Sequence, residues 1–262
     1  MPFPHILVLF ISAIIGGTLN AVAGGGSFFT FPALIFVGTP AKIANASSTV
    51  ALWPGSMASI GAYRHEITQQ KRGFLILMVG TSLVGGIIGA FLLIQTPASI
   101  FQGLIPYLLL LATLLFALSG PITAGLRVRE VGKTRLSLRT LIIVAIAQLI
   151  IAIYGGYFGG GIGILMLATL AMMGMENIHI MNGLKTVLTA CINGVAVIIF
   201  IFSHLVYWPE TLLMIAGAII GGYGGAYYAR KIDPKLVRAF VIIVGLSMSA
   251  YFFISTYIVH SS

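Results

Sequence analysis

At 262 residues, 59% hydrophobic and only 7% charged, the chain has too few polar side chains to cover a water-soluble globule, which leaves an integral membrane protein. Its formal net charge of +9 would suggest nucleic acid as the partner of a soluble protein; here it is read as orienting loops at a membrane, with no nucleic-acid partner. A single cysteine, Cys191, excludes a disulfide framework and a Cys-pair redox relay.

Strand-like alternation is absent, so the predicted fold is all-α. The opening MPFPHILVLFISAIIGG has the look of a signal peptide, helped by the small residues around Ala21 and Ala23, but it lacks a basic n-region and has a counterpart later in the chain. It is therefore read as part of a first broken apolar segment, 5 to 38, which carries "AGGGSFFTFP". Ordinary spans follow at about 45 to 63, 74 to 95 and 99 to 119. After a basic stretch, 125 to 139, a second broken segment runs from 141 to 174 around "YFGGGIGILM". Spans at about 181 to 203, 209 to 229 and 237 to 258 complete the chain.

Sliding the chain on itself by about 135 residues superposes Gly24, Gly25 and Gly26 on Gly159, Gly160 and Gly161, and Gly38 on Gly174. The same shift, with small drifts, brings Asn45 and Thr49 onto Asn182 and Thr186, and "GGIIGA" at Gly85 onto "GGYGGA" at Gly221. The chain reads as two tandem repeats, 1–124 and 140–262, joined by a basic cytoplasmic linker, 125–139. The pairs Gly85/Gly89 and Gly221/Gly225 have the spacing of close helix packing.

Of the 14 Lys and Arg, 12 fall in three loops: Arg64, Lys71 and Arg72; Arg127, Arg129, Lys133, Arg135 and Arg139; Arg230, Lys231, Lys235 and Arg238. Basic loops belong on the cytoplasmic side. All three lie there only if each repeat crosses an odd number of times, so each broken segment is predicted to reverse at its glycines and leave by the side it entered. The repeats are then inverted, each a Gly-tipped broken-helix hairpin plus three transmembrane helices. The 36 uncharged residues from 140 to 175 are short for two full crossings and a turn, which favours hairpin helices ending near mid-depth.

Two opposed broken segments at a repeat interface are a common construction of a transporter site, and helix amino ends aimed into it favour an anion. The predicted substrate-binding set is Gly24, Gly25, Gly26 and Ser27 at one tip and Gly159, Gly160 and Gly161 at the other, with Asn45, Ser48, Thr49, Asn182, Lys185 and Asn193 around them. Lys185, in "MNGLKTVLTACING", either faces a cavity with an anion as partner or snorkels to the interface. Ser48 and Thr49 are candidate hydroxyl donors, and the asparagines candidate amide donors. None of Glu66, Glu130, Glu176, Glu210 and Asp233 falls in mid-span, leaving the coupling ion undetermined, with protons as one candidate; His179 and His204 stand near span ends. No Ser-His-Asp order, metal-ligand cluster or phosphate loop is present, so neither an enzyme nor a cofactor site is expected.

Together "AGGG", "FGGGIGI", "NGLK" and "GGYGGAYYARKI" resemble the sulfite exporter TauE/SafE family, also called TSUP, over nearly the whole chain. The resemblance implies a multi-pass transporter of the prokaryotic inner membrane that exports small sulfur-containing anions such as sulfite or organosulfonates; a homodimer is one arrangement open to the chain. A passive anion channel and a non-transporting membrane accessory protein are the competing readings.

Overall fold

The computed structural model describes residues 1–22, 24–62, 70, 72–125, 138–173, 175, 178–228 and 234–258. Its regular structure is helical: α1 (Phe3–Val22), α2 (Ser27–Phe36), α3 (Ala41–Ala62), α4 (Arg72–Gln95) and α5 (Ala98–Gly125) precede the linker. After it come α6 (Leu138–Tyr157), α7 (Ile162–Met172), α8 (Ile178–Phe202), α9 (Trp208–Tyr228) and α10 (Pro234–Phe253), which runs into a π-helical turn, Ile254–Ile258. The predicted linker falls almost wholly outside the described residues, as do Arg64, Lys71 and most of the basic charges used to assign sides.

Among the described residues, Phe3–Ala21, Arg72–Gln95 and Ile180–Phe202 are long and apolar enough to cross a bilayer, and shorter apolar helices accompany them. The outer faces are those of a lipid-exposed bundle: Phe3 is 76% exposed, Phe202 80% and Tyr223 85%. A water-soluble surface does not carry large side chains in such density.

Both broken segments divide at their glycines into unequal arms. Their first helices, α1 and α6, have 20 residues each, about 30 Å, whereas α2 and α7 have 10 and 11, about 15 Å. The entering arm is thus long enough to pass mid-depth and only the returning arm is half-length, unlike the expectation of two short arms. Antiparallel return is visible in the packing of Gly16 on Thr30 and of Asn20 on Gly26.

Helix pairings repeat between the two halves. α1 lies on α9 as α6 lies on α4, α3 on α9 as α8 on α4, and α2 on α10 as α7 on α5, while α3 crosses α8 and α5 crosses α10. Thr18 pins the first of these contacts by donating to the Gly221 carbonyl at 2.9 Å, and Gln148 pins its counterpart by donating to the Ser82 hydroxyl at 2.7 Å.

Glycine makes the α4–α6 contact close, as its spacing predicts. A Cβ on Gly85 would lie 2.5 Å from the Ala152 Cβ and 2.8 Å from the Leu149 oxygen, whereas one on Gly80, earlier in the same helix, would meet nothing within 4 Å. The same substitution should therefore have opposite signs at the two sites. Gly85→Ala is expected to destabilise by about 1–3 kcal/mol through overpacking. Gly80→Ala is expected to stabilise by up to about 1 kcal/mol through helix propensity. Thermal unfolding of the two variants in detergent checks both.

Candidate anion site at the hairpin tips

The two tips are closed by the same local chemistry. Gly24 N–H donates to the Leu19 carbonyl at 2.9 Å, and Gly159 N–H donates to the Tyr154 carbonyl at 3.4 Å, each reaching five residues back to end the entering helix. Both glycines are left-handed, with φ of 78° and 73°, a conformation that glycine adopts without the clash a Cβ would bring. The returning helix then opens with Phe28 N–H on the Gly25 carbonyl and Ile162 N–H on the Gly159 carbonyl. The correspondence ends at the last glycine of each triplet, since Gly26 has a helical φ of −59° and Gly161 a φ of 71°.

Gly24 and Gly163 bring the tips into backbone contact: a Cβ on Gly24 would lie 2.6 Å from the Gly163 Cα. Beside this contact opens a small cavity. Asn20, Gly24 and Ser27 line it from the first hairpin, and Gly159, Ile162 and Gly163 from the second. Thr49, Leu52 and Ser56 come from α3, and Lys185, Thr186, Thr189 and Asn193 from α8. No carboxylate stands among these residues.

Lys185 is the charge at this site. The residue is 2% exposed, and its Nζ is buried without a hydrogen-bond partner. Its Cδ lies 3.4 Å from where a Gly163 Cβ would stand, so the side chain runs over the meeting point of the tips. The side chain is thus buried beside the cavity. An unpaired ammonium in an apolar bundle is strongly unfavourable, and a bound anion in the cavity would relieve it.

Lys42, the other basic residue outside the loops, has a different task. Its Nζ donates to the carbonyls of Ile94 and Thr96 at 2.9 and 2.7 Å and so caps the carboxyl end of α4.

Of the predicted set, the cavity brings together Gly24, Ser27, Thr49, Gly159, Lys185 and Asn193. The others stand behind it. Asn45 donates from Nδ2 to the Tyr157 carbonyl at 3.0 Å, holding the end of α6, and Ser48 shares a 2.6 Å hydrogen bond with Thr30 of α2. Gly25 and Gly26 are buried within the first tip. Gly160 accepts from the Tyr154 hydroxyl at 2.7 Å, and Gly161 packs toward Ala112 and Phe28. Asn182 has a buried Oδ1 without a partner but does not line the cavity.

Asn20, Ser56, Thr186 and Thr189 also line the cavity and were not in the predicted set. Helical spacing held the signal: 49, 52 and 56 on α3, and 185, 189 and 193 on α8, each fall on one face.

Glu66, Glu130, Glu176 and Asp233 lie outside the described residues. Glu210, in the first turn of α9, is buried, and its Oε2 has no partner. Among the described residues no cluster of His, Cys, Asp and Glu could hold a metal ion.

The sequence profile of the sulfite exporter TauE/SafE family matches residues 9–252, all but the two ends of the chain. The chain belongs to that family. Curated relatives of nearly equal length agree in kind. A probable membrane transporter protein of Haemophilus influenzae is 25% identical over 246 residues, covering 94% of this chain and 93% of that one. The probable membrane transporter protein ORF9 of a Sinorhizobium species is 27% identical, covering 94% and 91%. The probable membrane transporter protein YfcA of Escherichia coli K12 is 27% identical, covering 93% and 87%. No solved structure gives a significant match. TauE/SafE proteins are membrane transporters, and the apolar helices described above fit that class.

Proposed function

We propose that the chain is a secondary carrier of a small sulfur-containing oxyanion, sulfite or a short organosulfonate, bound between the two hairpin tips. The observation that carries this reading is Lys185, a buried ammonium without a partner at the point where the tips touch. The amino ends of α2 and α7 add to it. Gly25, Gly26 and Ser27, and Gly160 and Gly161 opposite, have N–H groups without carbonyl partners among the described residues, at the positive ends of their helices.

Residues 1–124 and 140–262 form two inverted repeats in this proposal, with 125–139 as a cytoplasmic linker in a prokaryotic inner membrane. The matching helix pairings and the matching closures at Gly24 and Gly159 support it. One hairpin then enters from outside and the other from the cytoplasm, and rocking one repeat against the other exposes the anion to each side in turn. Export is the direction that the family's name suggests.

Uptake of labelled sulfite and of a short sulfonate into proteoliposomes, with and without a pH gradient, tests the activity. Saturable flux is expected, and acceleration by the gradient would identify protons as the coupling ion. Absence of flux for both anions would overturn the substrate class. Topology is tested separately through Gly132→Cys and Asp233→Cys, which are expected to react with a membrane-impermeant reagent from the same face. Labelling from opposite faces would overturn the inverted arrangement.

A further inference from the structure

Two residues that line the cavity carry orphaned groups of opposite kind. Lys185 Nζ is a buried donor without an acceptor, and Asn193 Oδ1 is a buried acceptor without a donor. A ligand that only accepts hydrogen bonds would satisfy the first and leave the second.

The hydroxyls between them point the same way. Thr49 donates its proton to the Asn45 carbonyl at 2.9 Å, Thr186 to the Asn182 carbonyl at 2.8 Å and Thr189 to the Lys185 carbonyl at 2.7 Å. A hydroxyl has one proton, so each of these oxygens has only lone pairs left for the cavity. So held, they present acceptors to the cavity and would have to turn from those carbonyls to donate to an oxyanion.

Lys185 and Asn193 stand eight residues apart on α8, about 12 Å of helix rise. Donor and acceptor are thus carried by residues about two helical turns apart, and a ligand whose proton sits away from its anionic group suits such a pair better than hydrogen sulfite, which carries both on one group. A second cationic group on the ligand is disfavoured too, because among the described residues no carboxylate lines the cavity and Lys185 is already unpaired.

On the anion-site reading above, we propose that the preferred ligand is a short anion with a neutral hydroxyl at its far end. The anionic head lies at Lys185 and the amino ends of the hairpins, and the hydroxyl donates to Asn193 and the threonine oxygens. Removing the hydroxyl leaves buried acceptors unpaired, which is where such sites obtain their discrimination.

Hydroxyethanesulfonate and propanesulfonate make the test, since they differ only by a methyl in place of the hydroxyl. Their competition with labelled sulfite would be measured in proteoliposomes of the wild type, Lys185→Met, Asn193→Leu and Thr189→Val. Hydroxyethanesulfonate is expected to compete at least about tenfold better in the wild type. Asn193→Leu should bring the ratio to about one, and Thr189→Val, a near-isosteric change, should lower it even where Asn193→Leu does not fold. Equal competition by the two sulfonates in a wild type whose sulfite flux depends on Lys185 would overturn this inference and leave the anion site standing. Sulfite flux indifferent to Lys185→Met would overturn the anion site, and the inference with it.

Discussion

Lys185→Met is expected to make the ligand-free protein more stable and at the same time insensitive to anions. An ammonium buried without a partner in an apolar bundle is unfavourable by about 3 kcal/mol on insertion scales, and methionine fills nearly the same volume without that penalty. The melting temperature without substrate should therefore rise. Wild-type protein should regain stability on adding sulfite, by about 2.7 kcal/mol at a hundredfold excess over Kd, and the variant should gain nothing. Lys42→Met should do the reverse. Its ammonium caps α4, so its loss should lower stability by about 1 kcal/mol and leave the anion response in place. Unfolding of the three proteins in detergent, with and without sulfite, checks these expectations. A Lys185→Met protein less stable than the wild type would mean that the lysine is paired by something other than the transported anion.

Gly24→Ala is the second large effect. Its φ of 78° costs an alanine about 1–2 kcal/mol, and the new methyl would lie 2.6 Å from the Gly163 Cα, which is backbone and cannot turn aside. The tips would be driven apart at the wall of the cavity, so transport should fall by at least an order of magnitude. Gly38→Ala separates the two causes. Gly38 has a φ of 94°, but a Cβ there meets nothing within 4 Å. That variant should pay the backbone strain and keep its flux. Equal flux from the two variants, normalised to folded protein, would show that tip contact is irrelevant to transport.

The spans were legible because a bilayer demands length and apolarity, and both are written in composition. Predicted spans such as 74 to 95 and 209 to 229 agree with α4 and α9 within two residues at each end. Tip positions were legible because glycine triplets recur at one offset, and Gly24 and Gly159 do share a left-handed closure. Which side of each helix faces the centre was much less so. Lipid is as apolar as the bundle core, so periodicity that would mark an inner face in water is blurred, and the polar residues alone report it.

Even those report ambiguously. Asn45 and Ser48 look like ligands in sequence, but they hold Tyr157 and Thr30, because a buried backbone carbonyl or a facing hydroxyl satisfies them as well as a substrate would. Asn20 and Ser56 face the cavity through a hydrogen bond across 36 residues, which no local pattern carries. The unequal hairpin arms escaped a span-length argument because that argument fixes only the sum of the two. Glu210 was legible as a residue at a helix start; its burial follows from the packing around α9.

Selenite is a close mimic of sulfite and a strong anomalous scatterer, which makes one crystal the most direct test of where the anion sits. Crystals soaked in selenite are expected to show an anomalous peak within hydrogen-bonding reach of Lys185 Nζ, between the tips at Gly24 and Gly159. A peak confined to the basic loops, in protein whose sulfite flux selenite inhibits, would contradict the site.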